Sequence, residues 1–368
     1  MNRIHRYLKS RRAMMHTLAA FLFSSLIPGG LSFAAEPQPS VIRFGVSDSG
    51  AGNPPRIVGG WTAVAQARGF VEDELRKDGI KVQWVFFKGQ GPAVNEALTN
   101  NQLDFTTLGD LPSIIGRSVG IDTRIVLMTG SSGSAYVAVR PDSGIHTIED
   151  LRGKRISFLK GTASQLAANR ILAAHGLTEK DVLIVNLDPG ESVAAFSSGQ
   201  LDAIVGGVKM LTLRDKGLAR IIYSSKGDST ISSQGHILVN TRFAQQYPQI
   251  TQRVVTALVK AAAWASDEQH RDQLIELWAQ AGSITAANYR EEYQGTPLAQ
   301  RLSPVLDPYA IARDQQSVDD AYRFRLIRKK FDVSGWVDAR YQAAALKQLQ
   351  LERYWPEQDA KGRVIAAN

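Results

Sequence analysis

Residues 158–172, FLKGTASQLAANRIL, combine the residue types that bind an anion. An apolar run ends at Lys160, Gly161 follows, and the hydroxyl residues Thr162 and Ser164 open an amphipathic stretch without an acid in its first turn. Such a helix start presents unpaired backbone N–H groups and about half a positive charge. The pattern predicts an oxyanion site there; the alternative is that the hydroxyls only cap their own helix.

The same segment does not match a nucleotide-binding loop. A P-loop places its lysine after the second glycine of Gly-x-x-x-x-Gly-Lys-Ser/Thr. Here Lys160 precedes Gly161, and no second glycine follows at that spacing. A bound nucleotide is therefore not expected, and no cofactor is predicted.

Further candidate ligand contacts lie in turns after the other predicted strands, except for His236, which starts the predicted strand HILVN (236–240). They are Ser49, Arg56, Gln90, Gly91, Gly109, Asp110, Leu111, Ser134, Gly207 and His236. We expect Gly91 to cap a helix that begins at Pro92. An arginine clamps an oxyanion strongly, which favours Arg56 among the cations. Asp110 repels an anion and is expected mainly to cap its own helix.

Catalytic chemistry finds no support in the residue pattern. Gly-x-Ser-x-Gly and His-Glu-x-x-His are missing, and the histidines after residue 34 are scattered without metal-ligand spacing. A hydrolase needs a nucleophile and a base within reach, and no pair of residues is nominated. We predict no catalytic residues and no metal site.

The first 34 residues have the composition of an export signal. Five basic residues and no acid precede the apolar stretch TLAAFLFSSLIPGGL, and small residues stand at Ser32 and Ala34. This is typical of a cleavable signal peptide and too short for a membrane span. Its removal lowers the formal net charge from +8 to +3, so nucleic acid is not an expected partner. Sec and twin-arginine export both remain open.

The chain has no cysteine, so disulfides, a thiol nucleophile and a lipid anchor at the cleavage site are excluded. We expect a soluble, monomeric periplasmic protein that begins near Ala35.

Strand-like apolar runs alternate with helical stretches up to about residue 240, and the pattern is then almost entirely helical. This alternation predicts an α/β fold with largely parallel sheets. Residues 99–114 and 197–211 echo each other: both contain Gln-Leu-Asp, and both reach a glycine five residues after the Asp. The echo is either chance or the mark of two lobes that use the same unit, with a ligand cleft between them.

Three segments in this order resemble the periplasmic substrate-binding proteins of ABC importers, in the aliphatic-sulfonate, taurine and nitrate group. They are GFVEDELRKDGIKVQWVFFKGQGPAVNEALTNNQLDFTTLGDLPSI, SGIHTIEDLRGKRISFLKGTASQ and WVDARYQAAALKQLQLERYW. Two stretches depart from the family pattern: the long Gly-rich loop 47–60, and GGVKML (206–211), where the family often carries a Trp-Asp-Pro-like sequence.

The resemblance implies a type II-like fold of two lobes, each a mostly parallel sheet flanked by helices. Two crossover strands would join the lobes, and a helical extension would follow. We expect lobe one at 35–133 plus 227–335, lobe two at 134–226, hinges near 131–136 and 224–236, and a tail, 336–368, packed on lobe one.

The implied function is capture of an aliphatic sulfonate and its delivery to an ABC importer permease in the inner membrane. Taurine, a sulfate ester and nitrate remain open as ligands. An enzyme of the same fold, acting on a small sulfur or pyrimidine compound, is the alternative from another class.

Overall fold

Four strands from residues 41–128 and one strand from residues 235–240 form a mixed sheet. The computed structural model describes residues 38–130 and 133–365, so the predicted signal peptide, 1–34, lies outside the described residues. The strands of this sheet are β1 (Val41–Val46), β2 (Lys81–Phe86), β3 (Phe105–Gly109), β4 (Thr123–Met128) and β10 (Gly235–Asn240). Their order across the sheet is β2-β1-β3-β10-β4.

The second sheet is built from the segment between β4 and β10. Its strands are β5 (Tyr136–Val139), β6 (Arg155–Ser157), β7 (Leu183–Val185), β8 (Ala203–Gly206) and β9 (Arg220–Ser224). The order β7-β6-β8-β5-β9 follows the same pattern as the first sheet. In each sheet the fourth strand in this order is antiparallel to its neighbours, and the other strands run parallel. The predicted two-lobed, mostly parallel α/β fold is confirmed.

The sequence echo has a structural counterpart in a repeated carboxylate. Asp104 accepts hydrogen bonds from the backbone and guanidinium of Arg43, which lies on the parallel neighbour β1. Asp202 accepts the same set from Arg155 on β6. Each Asp thus fixes the register at the amino end of its strand. The later glycine of each copy lies at the opposite edge: Gly109 caps α4, and Gly207 lies two residues before the next helix, Lys209–Asp215.

Helices cover both faces of each sheet. In lobe one they are α1 (Gly60–Ala67), α2 (Phe70–Leu75), α3 (Gln90–Thr99), α4 (Asp110–Ser118), α8 (Thr241–Gln246), α9 (Pro248–Ser266), α10 (Arg271–Ala279), α11 (Ala286–Tyr293), α12 (Leu298–Arg301), α13 (Pro308–Arg323) and α14 (Arg340–Leu349); in lobe two they are α5 (Ala163–Ala174), α6 (Pro189–Ser197) and α7 (Lys209–Asp215). We use lobe one and lobe two below for the first and second sheets with these helices. The exact lobe boundaries stay a prediction.

The longest helical pattern in the sequence, 250–282, is two helices. Asp267 ends α9 in extended backbone, and its carboxylate caps the short turn that leads into α10. The apolar faces of α9 and α10 cover the first sheet together with α1 and α14. Trp355, in the segment after α14, is buried in the same core and donates to Ser266.

No helix among the described residues is long and apolar enough to cross a membrane.

Candidate functional site

Glycines at the carboxyl ends of the strands allow the two lobes to touch. A methyl group added to Gly109, at the end of β3, would lie 3.1 Å from the Cβ atom of Ala163 on α5. One added to Gly91 would lie 3.3 Å from the carbonyl oxygen of Gly161 and would clash with Pro112. Side chains at these glycines would therefore push the lobes apart, and the predicted Gly91, Gly109 and Gly161 do meet at the seam.

The start of α5 uses most of its own polar groups. The N–H of Gly161 donates to Gln165 Oε1 at 2.7 Å, and the hydroxyl of Thr162 donates to the carbonyl of Leu159 at 2.6 Å. Ser164 is half-buried, and its hydroxyl has no protein partner among the described residues. Of the predicted hydroxyl donors here, Ser164 is therefore the one left available to a ligand.

The start of α1 has a different character. Gly59 and Gly60 both have left-handed backbone, with φ values of 79° and 72°, which glycine adopts without strain. No side chain caps this helix, and its first turn contains no acid. No side chain of the helix start therefore bonds the first backbone N–H groups of α1, and they can donate to a neighbouring acceptor.

Tyr289 lies beside this helix start. A methyl group placed on Gly59 would be 3.6 Å from its hydroxyl oxygen. The side chain is 2% exposed, and its hydroxyl has no hydrogen-bond partner among the described residues. Burial raises the pKa of Tyr289, with smaller contributions from Tyr293 and the Asp48 carboxylate, so the phenol stays protonated at neutral pH. A buried hydroxyl without a partner is costly, which points to a ligand.

Gln90 opens α3 with left-handed backbone, φ 51°, unusual for a residue other than glycine. The helix begins two residues before Pro92, so Gly91 lies inside the first turn and does not cap it as predicted. The backbone N–H of Gln90 donates to Phe87, and its half-buried side-chain amide has no protein partner among the described residues. This conformation keeps the amide available at the edge where the lobes meet.

Ser134 is bonded to protein rather than left free. Its hydroxyl donates to Glu292 on α11 at 2.6 Å, and the same carboxylate accepts from Tyr136 and Arg301. Glu292 is 3% exposed, and three donors satisfy its charge. Burial and the adjacent Glu292 carboxylate raise the pKa of Tyr136.

Asp110 and His236 lie in a buried ionic cluster behind the strand ends. Asp110 is the first residue of α4 and Gly109 is its cap, so Asp110 does not cap the helix as expected. Its Oδ1 instead accepts from the N–H of Leu111 at 2.8 Å and occupies that N–H. His236 Nε2 bonds both carboxylate oxygens of Asp314 on α13 at 3.0 Å. Both residues are fully buried.

Arg170 of α5 joins this cluster from lobe two. Its guanidinium donates to Asp320 at 2.8 Å and to Ser317 at 2.9 Å, and its Nη1 lies 3.9 Å from Asp110 Oδ2. Burial raises the pKa of Asp110 despite the opposing charge of Arg170. Burial alone lowers the pKa of His236, but the carboxylates of Asp314 and Asp110 outweigh it and the net shift is upward.

The remaining predicted contacts lie at the surface or in the core. Arg56 is exposed at the base of a short hairpin whose backbone pairs Ala51 with Arg56, and its guanidinium has no partner among the described residues. Ser49 and Gly207 are exposed, whereas the side chain of Leu111 is completely buried in the core.

At one point on the surface the lobes are joined by an ion pair. Lys88, after β2, lies 3.2 Å from Asp188 and 3.5 Å from Glu191 of lobe two. Asp188 also caps α6, as its spacing before Glu191 suggests. This ion pair, the close approach of the glycines and the contact of Arg170 with Asp110 together show that the two lobes touch along the cleft.

A family model described as NMT1/THI5 like matches residues 61–271. The chain belongs to this family. An aliphatic sulfonates-binding protein of Bacillus subtilis (strain 168) is 30% identical over 288 residues, 77% of this chain and 84% of that protein. The predicted resemblance to sulfonate-binding proteins of ABC importers is confirmed.

Two solved structures are similar over most of the chain. The periplasmic sulfonate-binding protein SsuA of Methylobacillus flagellatus KT has 31% identity and a TM-score of 0.69, over 87% of this chain and 97% of that one. The alkanesulfonate-binding protein SsuA of Xanthomonas axonopodis pv. citri, solved with MOPS bound, has 27% identity and a TM-score of 0.68, over 83% and 100%.

A cavity of about 580 Å³ lies elsewhere, between the crossover near Gly227, the loop after α11 and the tail near Gln358. Its buried cation, Arg301, is already paired with Glu292. The described residues contain no cluster of three or more metal-ligating side chains.

Sequence reasoning missed the contributions of α11 and α13. Tyr289, Glu292 and Asp320 lie more than 100 residues from the partners that give them a role. No local motif marks them, because the partners come from distant parts of the sequence.

Proposed function

We propose that this protein captures a small organosulfonate between its lobes and delivers it to an ABC importer permease in the inner membrane. The family membership and the names of the similar proteins support this ligand class. The ligand would be carried unchanged, as expected of a binding protein rather than an enzyme.

The observation that carries the proposal is the set of polar groups around the start of α1 that lack partners. The helix is uncapped, and the Tyr289 hydroxyl and the Trp61 indole Nε1 have no acceptor among the described residues. A sulfonate offers three acceptor oxygens and no donor, so it would satisfy such a set. A charged acceptor strengthens each of these hydrogen bonds.

In this proposal the sulfonate lies against α1 of lobe one, and the start of α5 closes over it from lobe two. Gln90 and Ser164 supply neutral donors at the seam between the lobes. Ligand that contacts both lobes stabilises the closed protein, and the permease distinguishes that state from the open one. The predicted hinges at 131–136 and 224–236 would carry the motion.

The location in the periplasm is part of the same proposal. Residues 1–34 would direct export and be removed, leaving a monomer that begins near Ala35. Mass spectrometry of a periplasmic extract would give the mature mass; retention of residues 1–34, or a lipid adduct, would contradict this.

A thermal-shift screen of purified protein tests the function. A ligand that binds only the folded protein raises the melting temperature, and we expect alkanesulfonates to do so more than nitrate or inorganic sulfate. The ligand recovered from a one-to-one complex should have unchanged mass. Failure of every sulfonate to shift the transition would refute the proposal, and a changed product would establish an enzyme instead.

A further inference from the structure

Helix α11 contacts both lobes through two faces. Residues 289 and 293 lie four positions apart and share one face, whereas 288, 291 and 292 share another. On the first face the rings of Tyr289 and Tyr293 pack against Trp278 of α10, with centroids 5.2 Å and 4.9 Å apart. This face belongs to the core of lobe one.

The second face is bonded to lobe two. Both carboxylate oxygens of Glu291 accept from the guanidinium of Arg214, each at 2.7 Å. Asn288 accepts from Thr212 at 2.9 Å and donates to Asp215. These partners all lie on α7, so one short helix is attached to lobe one by its rings and to lobe two by its polar groups.

We propose that Asn288 and Glu291 are positioning residues for the ligand. By bonding α11 to α7 they hold Tyr289, one residue from Asn288, with its hydroxyl over the start of α1. Ligand affinity then depends on the bonds between α11 and α7, although Asn288 and Glu291 do not contact the ligand themselves. This inference rests on the proposed function, because it assigns the Tyr289 hydroxyl to the bound sulfonate.

The arrangement makes α11 a connection between the lobes in addition to the two crossover segments. Lys226, at the end of β9, also donates to the carbonyl of Glu291, and Ser134 and Tyr136 at the other crossover bond Glu292. The position of Tyr289 is therefore coupled to both crossovers, and closure of lobe two presents its hydroxyl to the cleft.

Arg214→Gln removes the ion pair between α7 and Glu291 and leaves the bonds of Asn288 to α7 in place. We expect butane-1-sulfonate to bind about two- to fivefold more weakly by calorimetry, the range for a partly exposed ion pair. Arg290→Gln is the matched control: Arg290 lies on the same helix but pairs with Glu276 and Asp272 of lobe one, and its loss should leave affinity unchanged.

A double-mutant cycle separates positioning from general loosening. In a Tyr289→Phe background, Arg214→Gln should weaken butane-1-sulfonate binding no further, since the hydroxyl it positions is gone. Equal weakening in both backgrounds, or none in the wild type, would overturn the proposal.

Hydrogen exchange of the ligand-free protein tests the same contact if butane-1-sulfonate does not bind at all. Amides of α11 should exchange faster in Arg214→Gln than in the wild type or Arg290→Gln, since the helix loses one anchor. Unchanged exchange would refute the positioning role. Failure of wild-type binding with faster exchange would instead count against the sulfonate assignment alone.

Discussion

The buried ionic cluster behind the strand ends and the start of α1 differ in the kind of polar group they contain: charged side chains in the first and neutral donors in the second. Behind the strand ends, Arg170 is paired with Asp320 and Ser317, and His236 with Asp314. At the start of α1, the backbone donors are uncapped and the Tyr289 hydroxyl has no partner among the described residues. The first region, which we call the ionic seam, is a buried ionic contact between the lobes, in which Asp110 Oδ2 and His236 Nδ1 also lack a hydrogen-bond partner among the described residues. The second region offers only neutral donors, and we propose that a ligand binds to them.

The comparison shows why charge alone is a poor guide to an anion site in this protein. The buried guanidinium of Arg170 is the strongest donor at the lobe interface, yet carboxylates already neutralise it. A neutral donor forms a weaker hydrogen bond to an anion than a guanidinium does. A sulfonate that binds neutral donors without partners, however, breaks no hydrogen bond within the protein.

The largest expected effect is on the ionic seam. Arg170→Met should lower the free energy of unfolding by about 3–5 kcal/mol, because it removes the buried cation that faces Asp110 and bonds Asp320. Arg323→Gln is the control, since Arg323 bonds the same Asp320 from an exposed position and should cost less than about 1 kcal/mol. Urea unfolding measures both; similar small losses would mean that the seam contributes little.

Tyr289→Phe tests the other region. The hydroxyl has no protein partner to lose, so the melting temperature should stay the same or rise. Butane-1-sulfonate should bind about tenfold more weakly or worse, the value of one hydrogen bond to a charged group. Calorimetry checks this; wild-type affinity in the variant would remove Tyr289 from the site.

The seam should also make stability depend on pH in a defined direction. The pKa of His236 is raised in the folded protein, so its pairing with Asp314 stabilises below the unfolded pKa and is lost as pH rises through the folded pKa. The raised pKa of Asp110 acts in the same direction.

The advantage of wild type over His236→Gln in unfolding free energy should therefore shrink between pH 6 and pH 9. A decrease of roughly 1 kcal/mol is expected, the difference between a charged and a neutral hydrogen bond. Denaturant titrations at both pH values measure it, and an advantage that grows with pH would contradict the assignment.

The smallest expected effect is at the start of α5. Thr162→Ala should change sulfonate affinity less than about threefold, because its hydroxyl is already bonded to Leu159 and only a cap-sized stability loss of about 1 kcal/mol follows. Ser164→Ala, whose hydroxyl has no protein partner among the described residues, is the comparison. A larger loss of sulfonate affinity in Thr162→Ala than in Ser164→Ala would show that α5 rearranges around the ligand.

Local sequence signals were enough to predict the fold, and the family resemblance suggested the proposed ligand class. Apolar runs at strand length, helical periodicity between them and glycines after strands are local signals, and they predicted two α/β lobes. A cap is a local signal of the same kind: Asp188 stands three residues before Glu191, and its carboxylate accepts from the N–H groups of Gly190 and Glu191 at the start of α6.

The polar groups that remain without a protein partner, and can therefore bind a ligand, are seen only in the folded structure. The segment KGTAS has the residue types of an anion site. In the folded protein, however, the Gly161 N–H donates to Gln165 and the Thr162 hydroxyl donates to Leu159. Tyr289 has no such motif around it and is left with a buried hydroxyl beside α1. The partners at α5 are near in the sequence, but which of them bond is set by the folded backbone. Tyr289 reaches Gly59 from a distant part of the chain, which spacing along the sequence does not encode.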